Sequence, residues 1–227
     1  MSFAGFPKET FTFLESISKN NDKAWFEAHR DLYEAGYVAP ARMFVEALGP
    51  KLRKISSGVQ FDPKINGSIG RINRDIRFSK DKRPYKDHLD LWFWHGDKKG
   101  WDQPGFYVRL THQSVYLGTG IHGLEGELLE AYRQSVIHPR SGKALLAAIA
   151  KAGKAGAEIG GKTRKLMPRG YEAEADRAEY LLHEGLYATV NLPGKAAAET
   201  DFVEACLEHF KATWPIGEWL LAEVSGG

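Results

Sequence analysis

Seven basic side chains crowd into the eighteen residues from Arg71 to His88 (RINRDIRFSKDKRPYKDH), and no other stretch of the chain is as well suited to chemistry. Arg71, Arg74, Arg77, Lys80, Lys82, Arg83 and Lys86 stand against Asp75, Asp81 and Asp87, a local net of +4. The whole chain is formally +2, from 31 basic and 29 acidic residues, so everything outside the segment is net −2. A guanidinium presents a planar fork that matches two oxygens of a carboxylate or phosphate, and an ammonium adds a mobile point charge. The implied chemistry is capture of a phosphorylated or carboxylated ligand. Arg71, Arg74, Arg77, Lys80, Lys82 and Lys86 would supply charge, Ser79 would lie in the polar turn, and Tyr85 or Tyr107 would offer a stacking or hydrogen-bonding surface. An enzyme at the same place is the alternative, with Asp75 or His88 as general base and the arginines stabilising developing negative charge. A third reading is structural, because Arg–Asp pairs often tie a segment to its neighbours.

The remaining motifs add little. His88, His95, His112 and His122 fall in the strand-rich region at spacings that match no metal signature, so no metal ion and no cofactor is expected. Gly118-Thr119-Gly120-Ile121-His122-Gly123 has the glycines of a nucleotide loop but lacks the Lys-Ser/Thr ending of a P-loop. Ser79 has no nucleophile-elbow context. Lys162, Arg164, Lys165 and Arg169 form a second basic cluster that reads as solvated loop. His29 sits on the apolar side of a helix and reads as a hydrogen-bonded core residue.

With 227 residues, 43% of them hydrophobic and 12% aromatic, the chain is large enough to bury a substantial core, and residues 1–227 are expected to form one globular domain. A pI near 8.5 is mildly basic and falls short of the footprint of a dedicated nucleic-acid binder. The expected partner is an anionic small molecule or a nucleic acid; oligomeric state does not follow from the sequence. Cys206 is the only cysteine, so no intrachain disulfide can form, and its neighbours Phe202, Val203, Leu207 and Phe210 make a buried thiol the natural reading. Met1 to Thr10 lacks the pattern of a signal peptide, and no apolar run reaches membrane-spanning length. A cytoplasmic protein without membrane partners is expected.

The elements that must position these residues follow from periodicity. Thr10, Phe13, Leu14 and Ile17 recur at helical spacing, Asn21 or Asp22 is a natural N-cap, and Trp25, Phe26, His29 and Tyr33 line a second helix. A third carries Phe44, Leu48, Leu52 and Ile55 and should kink or break at Gly49-Pro50. These form a helical layer over about 8–56. The basic segment reads as a strand over 70–78, with Arg71, Asn73, Asp75 and Arg77 on one face and Ile72, Ile76, Phe78 and Arg74 on the packing face. Leu89 to His95 is too apolar for an exposed edge, Gly96 to Gly100 is a turn, and Gly105–Leu110 and Ser114–Gly118 make a hairpin. The sheet thus spans about 68–120. Beyond it lies a mixed helical region with one more strand, about 124–224. There, helices cover 124–137 and 141–151, a Gly/Ala/Lys-biased mobile loop covers 151–162, and a helix covers 179–185. A fifth strand over 186–192, a long helix over 200–213 and a short terminal helix follow. The predicted class is α+β: one antiparallel sheet of about five strands with helices packed chiefly on one face.

Four runs in order, Asn21 to His29 (NDKAWFEAH), Arg71 to Lys86 (RINRDIRFSKDKRPYK), Pro104 to Tyr107 (PGFY) and Pro168 to Tyr171 (PRGY), resemble an uncharacterised bacterial and fungal family, domain of unknown function 2461. The resemblance spans about residues 3 to 220. It implies one globular domain and brings no activity, cofactor or catalytic residue. Members commonly carry an aromatic where this chain has Gly70.

Overall fold

A computed structural model describes residues 3–96 and 103–226. In chain order the elements are α1 (Lys8–Lys19), α2 (Lys23–Ala28), α3 (Arg30–Tyr33), a π-helical turn (Glu34–Val38), α4 (Ala39–Leu52), β1 (Leu89–Phe93), β2 (Gly105–Leu110) and β3 (Ser114–Ile121). Then come α5 (Gly126–Ile137), α6 (Pro139–Lys154), β4 (Glu158–Lys162), a 3-10 turn (Ala178–Leu182), β5 (His183–Pro193), a second 3-10 turn (Gly194–Ala198) and α7 (Phe202–Glu223). The strands form one open antiparallel sheet in the order β1-β2-β3-β5-β4. The class is α+β, as the sequence predicts.

The chain packs into two compact units. The first comprises Met1–Phe93, Tyr107–Tyr116 and Asn191–Leu207; the second comprises Trp94–Phe106, Leu117–Val190 and Glu208–Gly227. In the first unit α1 buries Thr10, Phe13, Leu14 and Ile17, the predicted stripe. Asp22 caps α2 by accepting from the Trp25 amide, so Asn21 is left for another task. The core of this unit is aromatic: the Phe44 ring lies 5.2 Å from Phe3, 5.3 Å from Phe6 and 5.4 Å from Phe202 between centroids. In the second unit Tyr132, Val136, Leu145, Leu186, Ile216, Trp219 and Leu220 form the core, and the Trp219 indole donates to the Ser141 carbonyl at 2.9 Å.

Five expectations need correction. Residues 70–78 are not a strand: the segment is irregular, with a single antiparallel bridge between Asn73 and Tyr85. Its competitor is local. The carboxylates of Asp75 and Asp81 accept the backbone N–H two residues on, from Arg77 (3.2 Å) and Arg83 (3.0 Å), and such Asx-turns take the backbone away from a ladder. Its supposed packing face fails too, for Ile72 is buried but Phe78 is 94% exposed. Second, 151–162 holds the end of α6 and strand β4 rather than a mobile loop. Its glycines serve close packing: Gly161 sits at φ +109 at a register shift, where a Cβ would lie 1.9 Å from the Gly185 carbonyl oxygen. Third, the region after residue 124 therefore carries two strands, not one. Fourth, 179–185 is a short 3-10 turn followed by the start of β5, and fifth, the two C-terminal helices are one, α7, which continues through Pro215. Of the predicted turn at 96–100, residues 97–100 lie outside the described residues.

β1 ends the sheet order, yet its free edge is covered. Ile69 bridges Leu91, the Gly70 amide donates to Asp90 O at 2.8 Å and the Trp92 amide to Ser68 O at 3.0 Å. An apolar edge without such cover invites pairing with another chain.

Phe44→Ala should destabilise the protein by about 3–5 kcal/mol, since a fully buried ring shared by three others leaves a cavity. Urea denaturation of the variant against wild type measures it; a loss below about 1 kcal/mol would contradict this account of the core.

Candidate functional site

The basic segment folds into an irregular hairpin whose root is held from three sides. Backbone bonds run from Arg74 N to Pro84 O (2.9 Å) and from Lys86 N to Ile72 O (2.8 Å). Asn21 clamps the return limb like a short strand, its Oδ1 accepting from Tyr85 N and its Nδ2 donating to Tyr85 O, both at 3.0 Å. The Tyr85 ring is buried and stacks on Phe26 at 4.4 Å, so it offers no surface to a ligand. Under the outgoing limb, Tyr37 donates to Gly70 O at 2.9 Å.

Asp90 anchors the return limb to the sheet. Alternation along β1 turns Leu89, Leu91 and Phe93 to the core and Asp90 to the other face; β2 likewise buries Val108 and Leu110 and leaves Tyr107 and Arg109 half-exposed. Four donors converge on the Asp90 carboxylate. Arg109 Nε reaches Oδ1 at 2.7 Å and Tyr107 OH reaches it at 2.5 Å. Lys86 Nζ reaches Oδ2 at 2.9 Å, and His88 Nε2 stands 3.3 Å from it. The Asp90 side chain is only 4% exposed. Burial alone would raise its pKa, but the hydrogen bonds and charges of His88 and Arg109 overcome this and hold the carboxyl well below the usual range. Burial and the neighbouring carboxylate push the Tyr107 hydroxyl far up, so it remains a donor. Gly70 fits here by having no side chain: a Cβ would meet Asp90 Cβ and O at 3.0 Å. An aromatic at this position would require the hairpin to stand off from Asp90.

The hairpin's outer part is tied internally. Arg77 grips Asp75 with Nε at 3.0 Å and Nη2 at 2.6 Å. Asp81 takes Arg83 and Arg74, each at 2.8 Å, and Lys82 Nζ donates to Ile76 O at 3.0 Å. The arginine hydrogen bonds lower the Asp75 and Asp81 pKa values. Arg71 and Lys80 are exposed and form no ion pair among the described residues, although the Arg71 charge helps to lower the Asp75 pKa, and Ser79 is half-buried beside the exposed tip.

The predicted residues therefore separate into groups. Lys86, His88 and Tyr107 meet at Asp90; Arg74, Asp75 and Arg77 brace the hairpin; Arg71, Lys80 and Lys82 project. Asp90 and Arg109 were not anticipated. Their signal was a lone Asp in an apolar strand and a Tyr-x-Arg pair in the next one, both at period two. As a general base, His88 is badly placed: its Nδ1 is 3.0 Å from Asp87 Oδ1 and its Nε2 faces Asp90, so no ring nitrogen is left for a substrate proton. Asp75 is gripped by Arg77. The glycines of 118–121 lie within β3, not in a loop. Among the described residues no group of three or more His, Cys, Asp or Glu is placed to hold a metal ion, and no helix is long and apolar enough to cross a membrane.

Fold and site define an α+β protein in which a charged hairpin is locked to a sheet by one buried carboxylate. The chain belongs to the DUF2461 family, described as a conserved hypothetical protein, whose family model matches residues 9–219. No curated protein matches it.

Asp90→Asn should cost about 1.5–3 kcal/mol, because a neutral amide replaces the buried carboxylate that accepts charge-assisted hydrogen bonds from the partly exposed Arg109 and Lys86. Since the folded pKa of Asp90 lies below its unfolded value of about 3.9, its stabilisation is complete above that pH and is lost as pH falls below it. Denaturation midpoints from pH 7 to 2 should fall more steeply for wild type than for Asp90→Asn. Parallel acid limbs would show that Asp90 is not held ionised.

Proposed function

We propose that this protein binds an anionic ligand through the hairpin of residues 71–88, and that the ligand carries phosphate or carboxylate groups. One observation carries the reading. Among the described residues Arg71, Lys80 and Lys82 remain exposed and form no ion pair, Arg71 acting on Asp75 only at longer range, on a hairpin whose root is fixed. Arg109, 43% exposed, adds a further accessible guanidinium beside the root. Residues 77–82 span at most about 20 Å even when extended, so the projecting tip charges fall within reach of one ligand. A cytoplasmic setting, rich in phosphorylated metabolites and nucleic acid, suits this chemistry and the single buried cysteine.

A ligand that binds only the folded state raises stability by about 2.7 kcal/mol at a hundredfold excess over Kd, or roughly 5–10 °C in Tm for a chain of this size. Thermal melts with inorganic pyrophosphate, triphosphate, nucleotides and citrate at low salt should yield at least one such shift, fading as salt rises. Arg71→Ala and Lys80→Ala should abolish it while changing the unliganded stability by no more than about 0.5 kcal/mol. If no anion moves the melt at low salt, the proposal fails; if either variant destabilises the free protein by several kcal/mol, the residue is scaffold.

A further inference from the structure

Resting on the anion-binding reading, we infer that the hairpin tip is a stacking platform for single-stranded nucleic acid, with Phe78 as its base-contacting ring. Phe78 is 94% exposed; the other exposed large apolar residues among those described are Met43 (41%), Leu166 (79%) and Met167 (46%). A phenylalanine so fully in water contributes nothing to the core. It is also presented rather than loose. The Asp75 turn precedes it, the Asp81 turn follows it, and the Arg74–Asp81 pair and the Lys82–Ile76 bond close the loop beneath it. The Arg77 guanidinium carbon lies 5.7 Å from the ring centre, against one side of the ring. With the ring 94% exposed, its other side is open among the described residues.

An exposed ring on a hairpin that carries exposed cations, Lys80 two residues on and Lys82 four, matches the way proteins hold single strands. Phosphates are met by Lys and Arg, and bases, which all have a π-face, stack on an aromatic. Two other occupants explain less. Burying Phe78 in a lipid bilayer would drag the Arg77–Asp75 pair out of water beside it, at a desolvation cost that one phenylalanine does not offset. Duplex DNA keeps its bases stacked on each other, so the ring would go unused. The scale is modest. Neutralising about three phosphates, by Arg71, Lys80 and Lys82, implies a slope of about −2 for log K against log salt on a single strand. This accords with a chain whose net charge is only +2.

The experiment is a fluorescence-anisotropy titration of a labelled twelve-residue oligothymidylate with the full chain. Inorganic polyphosphate, the matching duplex and phosphatidylserine vesicles serve as competitors. Wild type should bind the single strand with a salt slope near −2 and prefer it to the duplex. Phe78→Ala, at an exposed position and so expected to fold, should weaken oligothymidylate binding by about 5- to 140-fold and leave polyphosphate binding unchanged. Phe78→Trp should restore binding, and its fluorescence should be quenched by the oligonucleotide. If Phe78→Ala binds the oligonucleotide as wild type does, base stacking is refuted while the anion site stands. If neither oligonucleotide nor polyphosphate binds, both readings fall. A blue shift of the Phe78→Trp emission on vesicles, without quenching by oligothymidylate, would replace the nucleic-acid reading with a membrane-surface one.

Discussion

A carboxylate taken out of water must be surrounded by donors, and that constraint at Asp90 fixes the relation of hairpin to sheet in the first unit. Leaving such a group unpaired costs several kcal/mol. The donors come from two places: Lys86 and His88 on the return limb of the hairpin, and Tyr107 and Arg109 on β2. Neither set can move without stripping the charge it solvates. The covered edge of β1 follows from the same geometry, because Gly70 brings the outgoing limb close enough to bond the Asp90 carbonyl. One polar atom pair thereby positions two limbs, and an otherwise irregular segment acquires a definite place.

Within the hairpin a short pattern is used twice. Asp75-Ile76-Arg77 and Asp81-Lys82-Arg83 each fold so that the aspartate takes both the amide and the guanidinium of the arginine two residues later. Each pair is exposed, so its ionic part contributes little to stability. Its consequence is conformational: the backbone is turned twice, and the residues between the turns are pushed outward. Arg71, Lys80 and Lys82 are exposed and form no ion pair among the described residues, while the exposed Arg77 and Arg83 are held by Asp75 and Asp81. On the anion-binding proposal, the exposed cations and the bare Phe78 ring are the part of the segment left for a ligand.

The α+β class, the helical stripe of α1, an N-cap at Asn21 or Asp22 and strands at 89–95, 105–110 and 114–118 were legible, because each rests on periodicity or on local capping chemistry. The structure settles the cap on Asp22, ends β1 at Phe93 and extends β3 to Ile121. Strand 70–78 was misread for an instructive reason. Its residues alternate in polarity, but alternation says only which side chains could share a face, and the Asx-turns had a stronger local claim on the backbone. Composition was also a poor guide to β4, where glycines that suggested mobility are required by the approach of β5. Asp90 escaped notice in Leu89-Asp90-Leu91-Trp92-Phe93 since its value depends on partners up to 19 residues away, Tyr107 and Arg109. Only strand register brings them together, and register is not written in either segment alone.

The electrostatics of the site favour holding charge over moving protons. Asp75, Asp81, Asp87 and Asp90 are all held below the usual carboxylate range, while Tyr37, Tyr85 and Tyr107 are held above the usual phenol range. Each of these shifts deepens the protonation state already present at neutral pH. A general acid or base needs the opposite, a group brought toward the working pH so that its proton exchanges readily. The ring nitrogens of His88 both face carboxylates. On the anion-binding proposal, a ligand that meets the exposed cations finds donors already in place instead of having to order them.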